Sequence, residues 1–302
     1  MLLAAAIGVA GTTIALAQEH HHGAAAGANP GEPAKPSQER GRPSGNREWT
    51  KLPLIVPAGR GGERAAAMLR PVGIEAAELQ VFAADGPDDK RKLAVPVSEG
   101  AARIEPAAPK LGNYHWIVAR SETENEVRVA STTWYFSNPG DAPTAMLAQP
   151  KHELEIVPQP LPREHGAYRE SEKWPFLLRF NGAPLPNQPV TLETEFGSRS
   201  RFVSDGQGRV IVLFPRDFKP AAEAPREDGR EMGPRRAGFV LAAEREDNGK
   251  RYLTAFNYTY SPDADRDRSL GWGAAFGVLG MVAATPLLRR RGAAKKQEAS
   301  NA

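Results

Sequence analysis

The chain has 302 residues, 40% hydrophobic and 25% charged, a length and balance that fit one or two globular domains. A formal net charge of +3, with the basic residues scattered, gives no footprint for nucleic acid. The absence of cysteine excludes disulfide staples and thiolate metal sites, so stability must come from packing.

The chain opens with MLLAAAIGVAGTTIALA, an apolar run closing on Ala15-Leu16-Ala17. That small-x-small pattern predicts a signal peptide over 1–17 with Gln18 as the first mature residue. Residues 18–46 follow as a linker, with Gln18-Glu19-His20-His21-His22 at its head and a Gly, Ala, Pro and Ser tract behind. From Trp49 onward short apolar runs are broken by Pro and Gly, and amphipathic helices are absent, so the body reads as all-β.

Two blocks are predicted. The first, 47–139, carries candidate strands at Leu79–Ala83, Leu93–Val97, Tyr114–Arg120 and Val127–Phe136, the last two flanking a polar SETENE turn as a hairpin. The second, 150–262, alternates at Phe176, Leu178 and Phe180 before an Asn181-Gly182 turn, then passes through Ser204-Asp205-Gly206-Gln207-Gly208 into RVIVLF. In YLTAFNYTY, Tyr252, Thr254, Phe256, Tyr258 and Tyr260 share one face. This spacing suggests two immunoglobulin-like or transthyretin-like β-sandwich domains. Lys219 to Arg236 is a long, charged, Pro-rich loop that reads as disordered.

Leu270 to Leu288 contains no charged residue and is followed by Arg289, Arg290 and Arg291. Its length fits one C-terminal transmembrane helix over 270–288, with 289–302 as a basic cytoplasmic tail. Both ends then predict a periplasmic body tethered to the cytoplasmic membrane.

With no thiolate, a transition-metal site must draw on imidazole, carboxylate or backbone nitrogen, donors suited to Ni2+, Co2+ or Cu2+. If the mature chain starts at Gln18, His20 stands third. A free amine, two backbone nitrogens and a third-position imidazole then form a square-planar chelate, which Glu19 permits because it is not proline. His21 and His22 would assist. Cyclisation of Gln18 would block the amine, and a solvated leader with no defined metal chemistry is the competing reading. His115 shares a strand face with Ile117, opposite Tyr114, Trp116 and Val118, which suits a structural histidine. His152 beside Glu153 and Glu155, and His165 after Glu164, are candidate ligands or plain surface residues. No H-E-x-x-H, G-x-S-x-G or Gly-rich phosphate loop is present, so neither catalysis nor an organic cofactor is expected.

Three stretches, PLPREHGAYRESEKWPFLLRFNGAPLPNQPVTLETEFG, FVSDGQGRVIVLFP and FVLAAEREDNGKRYLTAFNYTY, resemble a family of exported β-sandwich proteins described as periplasmic components of cobalt or nickel uptake systems. The resemblance spans about Tyr114 to Pro262. Many members begin with an Ala-His-Asp-x-Trp-like segment, where this chain has Gln18-Glu19-His20-His21-His22. The resemblance implies a periplasmic sandwich that handles a divalent metal beside a membrane metal transporter or other envelope proteins. A structural or interaction β-sandwich with incidental histidines is the alternative.

Overall fold

Alternating apolar residues interrupted by Gly, Asn and Asp favour hairpins, and hairpins dominate the chain. The structure, a computed structural model, describes residues 49–59, 66–108, 114–136, 141–163, 166–219, 235–263 and 274–285. The first strands are β1 (Leu54–Pro57), β2 (Ala67–Val72), β3 (Glu78–Ala83), β4 (Lys92–Pro96), β5 (Ala102–Ile104), β6 (Tyr114–Glu122) and β7 (Glu126–Tyr135). A short helix α1 (Thr144–Ala148) leads to β8 (Leu154–Pro158), β9 (Tyr168–Arg169), β10 (Lys173–Phe180) and β11 (Ala183–Pro184). The remainder is β12 (Pro189–Thr194), β13 (Arg199–Val203), β14 (Arg209–Leu213), β15 (Ala237–Asp247) and β16 (Lys250–Ser261).

Nine strands form the largest sheet, in the order β13-β12-β15-β16-β7-β6-β3-β4, with β9 also on β16. One face of it packs on a four-stranded sheet in which β10 is flanked by β8 on one edge and by β14 and β11 on the other. Trp116, Val129, Phe239, Leu241, Phe256 and Tyr260 meet Ile156, Phe176, Leu178, Val210 and Phe214 there. The other face is covered by the three-stranded sheet β1-β2-β5, through Ile55, Leu69 and Ile104 against Leu79, Val81 and Ile117, and through Leu54 against Val240 and Leu253.

The all-β expectation holds, and the expected turns are present. β6 and β7 pair as a hairpin from Tyr114↔Tyr135 to Glu122↔Val127. Asn181 and Gly182 both take positive φ, 51° and 81°, the left-handed pair that a two-residue hairpin loop requires. At Asp205–Gly208 the Asp205 carboxylate accepts the Gln207 and Arg209 N–H groups at 2.9 Å each. These bonds hold its carboxyl below the usual carboxylate range.

The two blocks read from the sequence share one sheet. β7 lies parallel to β16, pairing Glu126↔Arg251 through Ser131↔Phe256. The reason is burial on both faces. β6, β7, β15 and β16 alternate between the two cores, so their apolar content is nearly continuous, the pattern of strands covered on both sides. At the C-terminus, 274–285 is helical and lies inside the expected 270–288 span; the rest of that span is outside the described residues. Among the described residues no helix is long and apolar enough to cross a membrane.

Candidate functional site

Of the histidines singled out, His20, His21, His22 and His165 lie outside the described residues, as do Gln18 and Glu19. His115 and His152 are described, and the structure does not bring them together. His115 projects with Ile117 toward the three-stranded sheet, as alternation requires, and is buried. Its Nε2 accepts the Ala107 N–H at 3.1 Å, and its ring stands edge-on to Phe136 with centroids 4.9 Å apart. This is a histidine committed to the core.

His152 lies toward the opposite face of the large sheet, within a charged cluster that was not legible in the sequence. Glu155 of β8 is wholly buried; Arg179 of β10 donates to it through Nε at 2.5 Å, and the Lys151 N–H does so at 3.0 Å. Arg179 also donates to the Ala148 and Gln149 carbonyls at 2.8 and 2.6 Å. The Lys151 ammonium reaches the Met146 and Gln149 carbonyls at 2.7 Å each and lies 5.3 Å from the Trp116 ring centroid. Burial pushes its pKa down to about 8. The His152 side chain is 2% exposed, and Glu155 Oε1 stands 4.0 Å from Nε2, beyond hydrogen-bond reach. Burial pushes its pKa down to about 4; the Glu155 charge opposes that shift, and Lys151 and Arg179 reinforce it. The charges bind the connection around α1 to β8 and β10. Among the described residues no group of three His, Asp or Glu is arranged to hold a metal ion.

A larger concavity lies elsewhere, beside Asn257. Its Oδ1 accepts the Ile55 N–H at 2.9 Å and its Nδ2 donates to the Ile55 carbonyl at 2.8 Å, so a side chain stands in for a strand and ties β1 to β16. Beside it β7 leaves β16. The Ser131 and Thr132 hydroxyls donate to the Ala255 and Asn257 carbonyls at 3.3 and 2.8 Å where the backbone ladder ends. β9 then takes up the same edge at Tyr260↔Tyr168. The split opens a groove of about 690 Å³ whose walls include Trp49, Trp134, Tyr135 and Tyr258, with Glu195 and Arg236 also at its lining. Burial raises the Tyr258 phenol above its usual range, while the nearby Arg236 opposes the rise. Trp49 packs so closely on Gly238 that a Cβ there would lie 3.3 Å from the indole. The signal in the sequence was the amide Asn257 between the aromatic residues Phe256 and Tyr258 of β16.

No protein-family model and no curated protein matches the chain. Solved structures similar in part include one from a 1.5-MDa bacterial ice-binding adhesin, at 12% identity and TM-score 0.23, covering 70% of this chain and 65% of that one. A two-domain fibronectin type III segment of chicken tenascin covers 65% of this chain and 92% of its own, at 9% identity and TM-score 0.19. The D0–D1 domain of intimin covers 68% and 96%, at 12% identity and TM-score 0.21. At these scores the likenesses assign neither function nor partner.

Proposed function

We propose that the chain is a non-enzymatic interaction protein of the cell envelope, an immunoglobulin-like β-sandwich body held by its C-terminal segment on the periplasmic side of the membrane. The observation that carries this reading is the groove at the β7–β16 split. It combines aromatic walls with a few polar groups, the usual make-up of a binding concavity. The buried ionic groups around Glu155, by contrast, are consumed in binding α1. The test compares the untethered body, residues 49–263, with its Trp134→Ala variant for retention on washed envelope fractions. The substitution should reduce retention in a variant whose circular dichroism shows it folded, and equal retention by that folded variant overturns the reading. The topology has its own measurement. Protease added to spheroplasts should digest the body and spare a small C-terminal fragment, whereas full protection refutes the periplasmic placement.

A second reading, metal handling beside a membrane transporter, rests on the register of Gln18-Glu19-His20. Inserting one alanine after Ala17 moves His20 to position four and should abolish the square-planar Cu2+ or Ni2+ absorption band, although His20, His21 and His22 all remain. An unchanged band, or a wholly cyclised Gln18, removes this reading.

A further inference from the structure

The four-stranded sheet ends on an edge that no other strand pairs with among the described residues. β14 pairs with β10 alone, in register Lys173↔Leu213, Trp174↔Val212, Pro175↔Ile211, Phe176↔Val210 and Leu177↔Arg209. Two bonds just beyond the strand fix which backbone groups face which way. Leu178 N–H donates to the Gly208 carbonyl at 2.7 Å, and Phe214 N–H donates to the Glu172 carbonyl at 3.1 Å. Hydrogen-bonded pairs alternate in an antiparallel ladder, so Val210 and Val212 face β10, while Arg209, Ile211 and Leu213 turn their N–H and C=O groups outward. The outward position of Pro175 on β10 agrees, because its carbonyl serves β8's side by accepting the Gln159 N–H at 2.9 Å. Asp205 closes the outward groups of Arg209, accepting its N–H at 2.9 Å and donating its own N–H to the Arg209 carbonyl at 2.7 Å. Among the described residues no strand pairs with Ile211 or Leu213.

The side chains on that edge are equally open. Ile211 is 52% and Leu213 45% exposed. By register they share the sheet's outer face with Pro175 and Leu177, in a stripe with Lys173 at one end and Arg209 at the other. Exposed edge strands are ordinarily blunted by a charge, a proline or a bulge within the strand, and Val210-Ile211-Val212-Leu213 carries none. The surrounding charge is positive. Lys173, opposite Leu213, and Arg216, just past the strand, are its cations, while Arg209 is ion-paired with Asp205 at 3.3 Å and Glu172 adjoins Lys173. An acidic segment would be attracted.

We infer that β14 is a docking edge for an extended acidic segment of another protein, which adds as a strand at Ile211 and Leu213, sets apolar side chains on the Ile211–Leu177 stripe and places carboxylates near Lys173 and Arg216. Main-chain bonds supply affinity and the charged flanks supply discrimination. The inference is independent of the groove, which lies at the β7–β16 split.

The test uses the full chain and a synthetic peptide of about eight residues alternating glutamate and valine, against its lysine–valine counterpart. Binding of the acidic peptide alone is expected. Ile211→Pro removes one outward N–H without touching the β10 ladder, and Ile211→Glu adds repulsion at an exposed position; each should weaken binding more than about tenfold with unchanged circular dichroism. Equal binding of both peptides, no binding of the acidic one, or unaltered affinity in both folded variants overturns the proposal. Reversible self-association that Ile211→Glu abolishes reassigns the edge to a second copy. A gain of more than about tenfold in affinity on replacing residues 220–234 by a short Gly-Ser linker reassigns it to that segment.

Discussion

Asn257 joins two layers that share no ladder of their own. Both of its amide atoms are spent on Ile55, and the residue is 8% exposed. Replacing it by alanine leaves the Ile55 N–H and carbonyl without those bonds in a buried interface at the groove's wall, at a cost of up to about 1–3 kcal/mol for each group left unsatisfied. Asn257→Ala should therefore lower the urea midpoint of the body markedly, and Asn257→Leu should not rescue it, since bulk is not what is missing. An unshifted midpoint would mean that β1 is held by Leu54 and Ile55 packing alone. Phe256, its neighbour on the opposite face, is fully buried against Trp116, Phe176 and Phe239. Phe256→Asp should leave no cooperative transition, because an unpaired charge there exceeds the stability of a typical domain.

His152 gives stability a pH dependence whose sign follows from its surroundings. The folded state holds the imidazole neutral, with a pKa near 4, against an unfolded value near 6.5. Between these values the unfolded chain binds the extra proton, so stability is complete above pH 6.5 and falls as the pH drops toward 4. The loss at the lower end amounts to about 3 kcal/mol. His152→Leu should flatten that part of the curve, measured as urea midpoints across the window; a parallel curve would move the acid sensitivity to the carboxylates. Nothing in KHELEI marked His152 as buried, because Lys151 and Glu153 on either side look like a solvated strand. The face of His115 was readable, since it needed only alternation.

At the scale of elements, what was legible was local. The SETENE hairpin, the Asn181-Gly182 loop and the Asp205–Gly208 turn are each specified by a few adjacent residues whose φ angles or side-chain bonds close the turn. Gly208 shows how tight that specification is. It has φ of +73°, and a Cβ there would lie 2.6 Å from the Leu178 carbonyl oxygen. Gly208→Ala should cost at least about 1–2 kcal/mol through strain and contact together, and Gly206→Ala much less, because the space around Gly206 is open. Equal thermal midpoints for the two variants would show that the turn relaxes. Strand order was not legible. The β7–β16 ladder depends on residues far apart, and strands buried on both faces lose the polar–apolar alternation that would show which neighbour covers which side. The groove was hidden for the same reason, since it exists only where those two strands part.

For the whole molecule, the blocks 47–139 and 150–262 should not behave as independent domains. The second block alone lacks β6 and β7, whose Trp116, Val118, Val127 and Val129 complete its main core. A fragment of residues 150–262 should be aggregated or lack a cooperative transition, while residues 49–263 should unfold in one step by both fluorescence and circular dichroism. Two separate transitions in the longer fragment would restore the two-domain description.

The bond between Ile55 and Asn257 spans 202 positions, and the Ser131–Ala255 bond spans 124. A chain emerging from its N-terminus therefore makes β1 and β7 long before either can meet the strand that finishes it. Loop-closure entropy must be met before those contacts return anything, which places the body among slowly maturing topologies. Until β16 is synthesised, the first half presents unpaired strand edges, and any helper that shields nascent chains has its longest task there. A nonsense mutation anywhere before Asn257 would yield an unfinished sheet and, with it, a substrate for proteolysis rather than a shorter working protein.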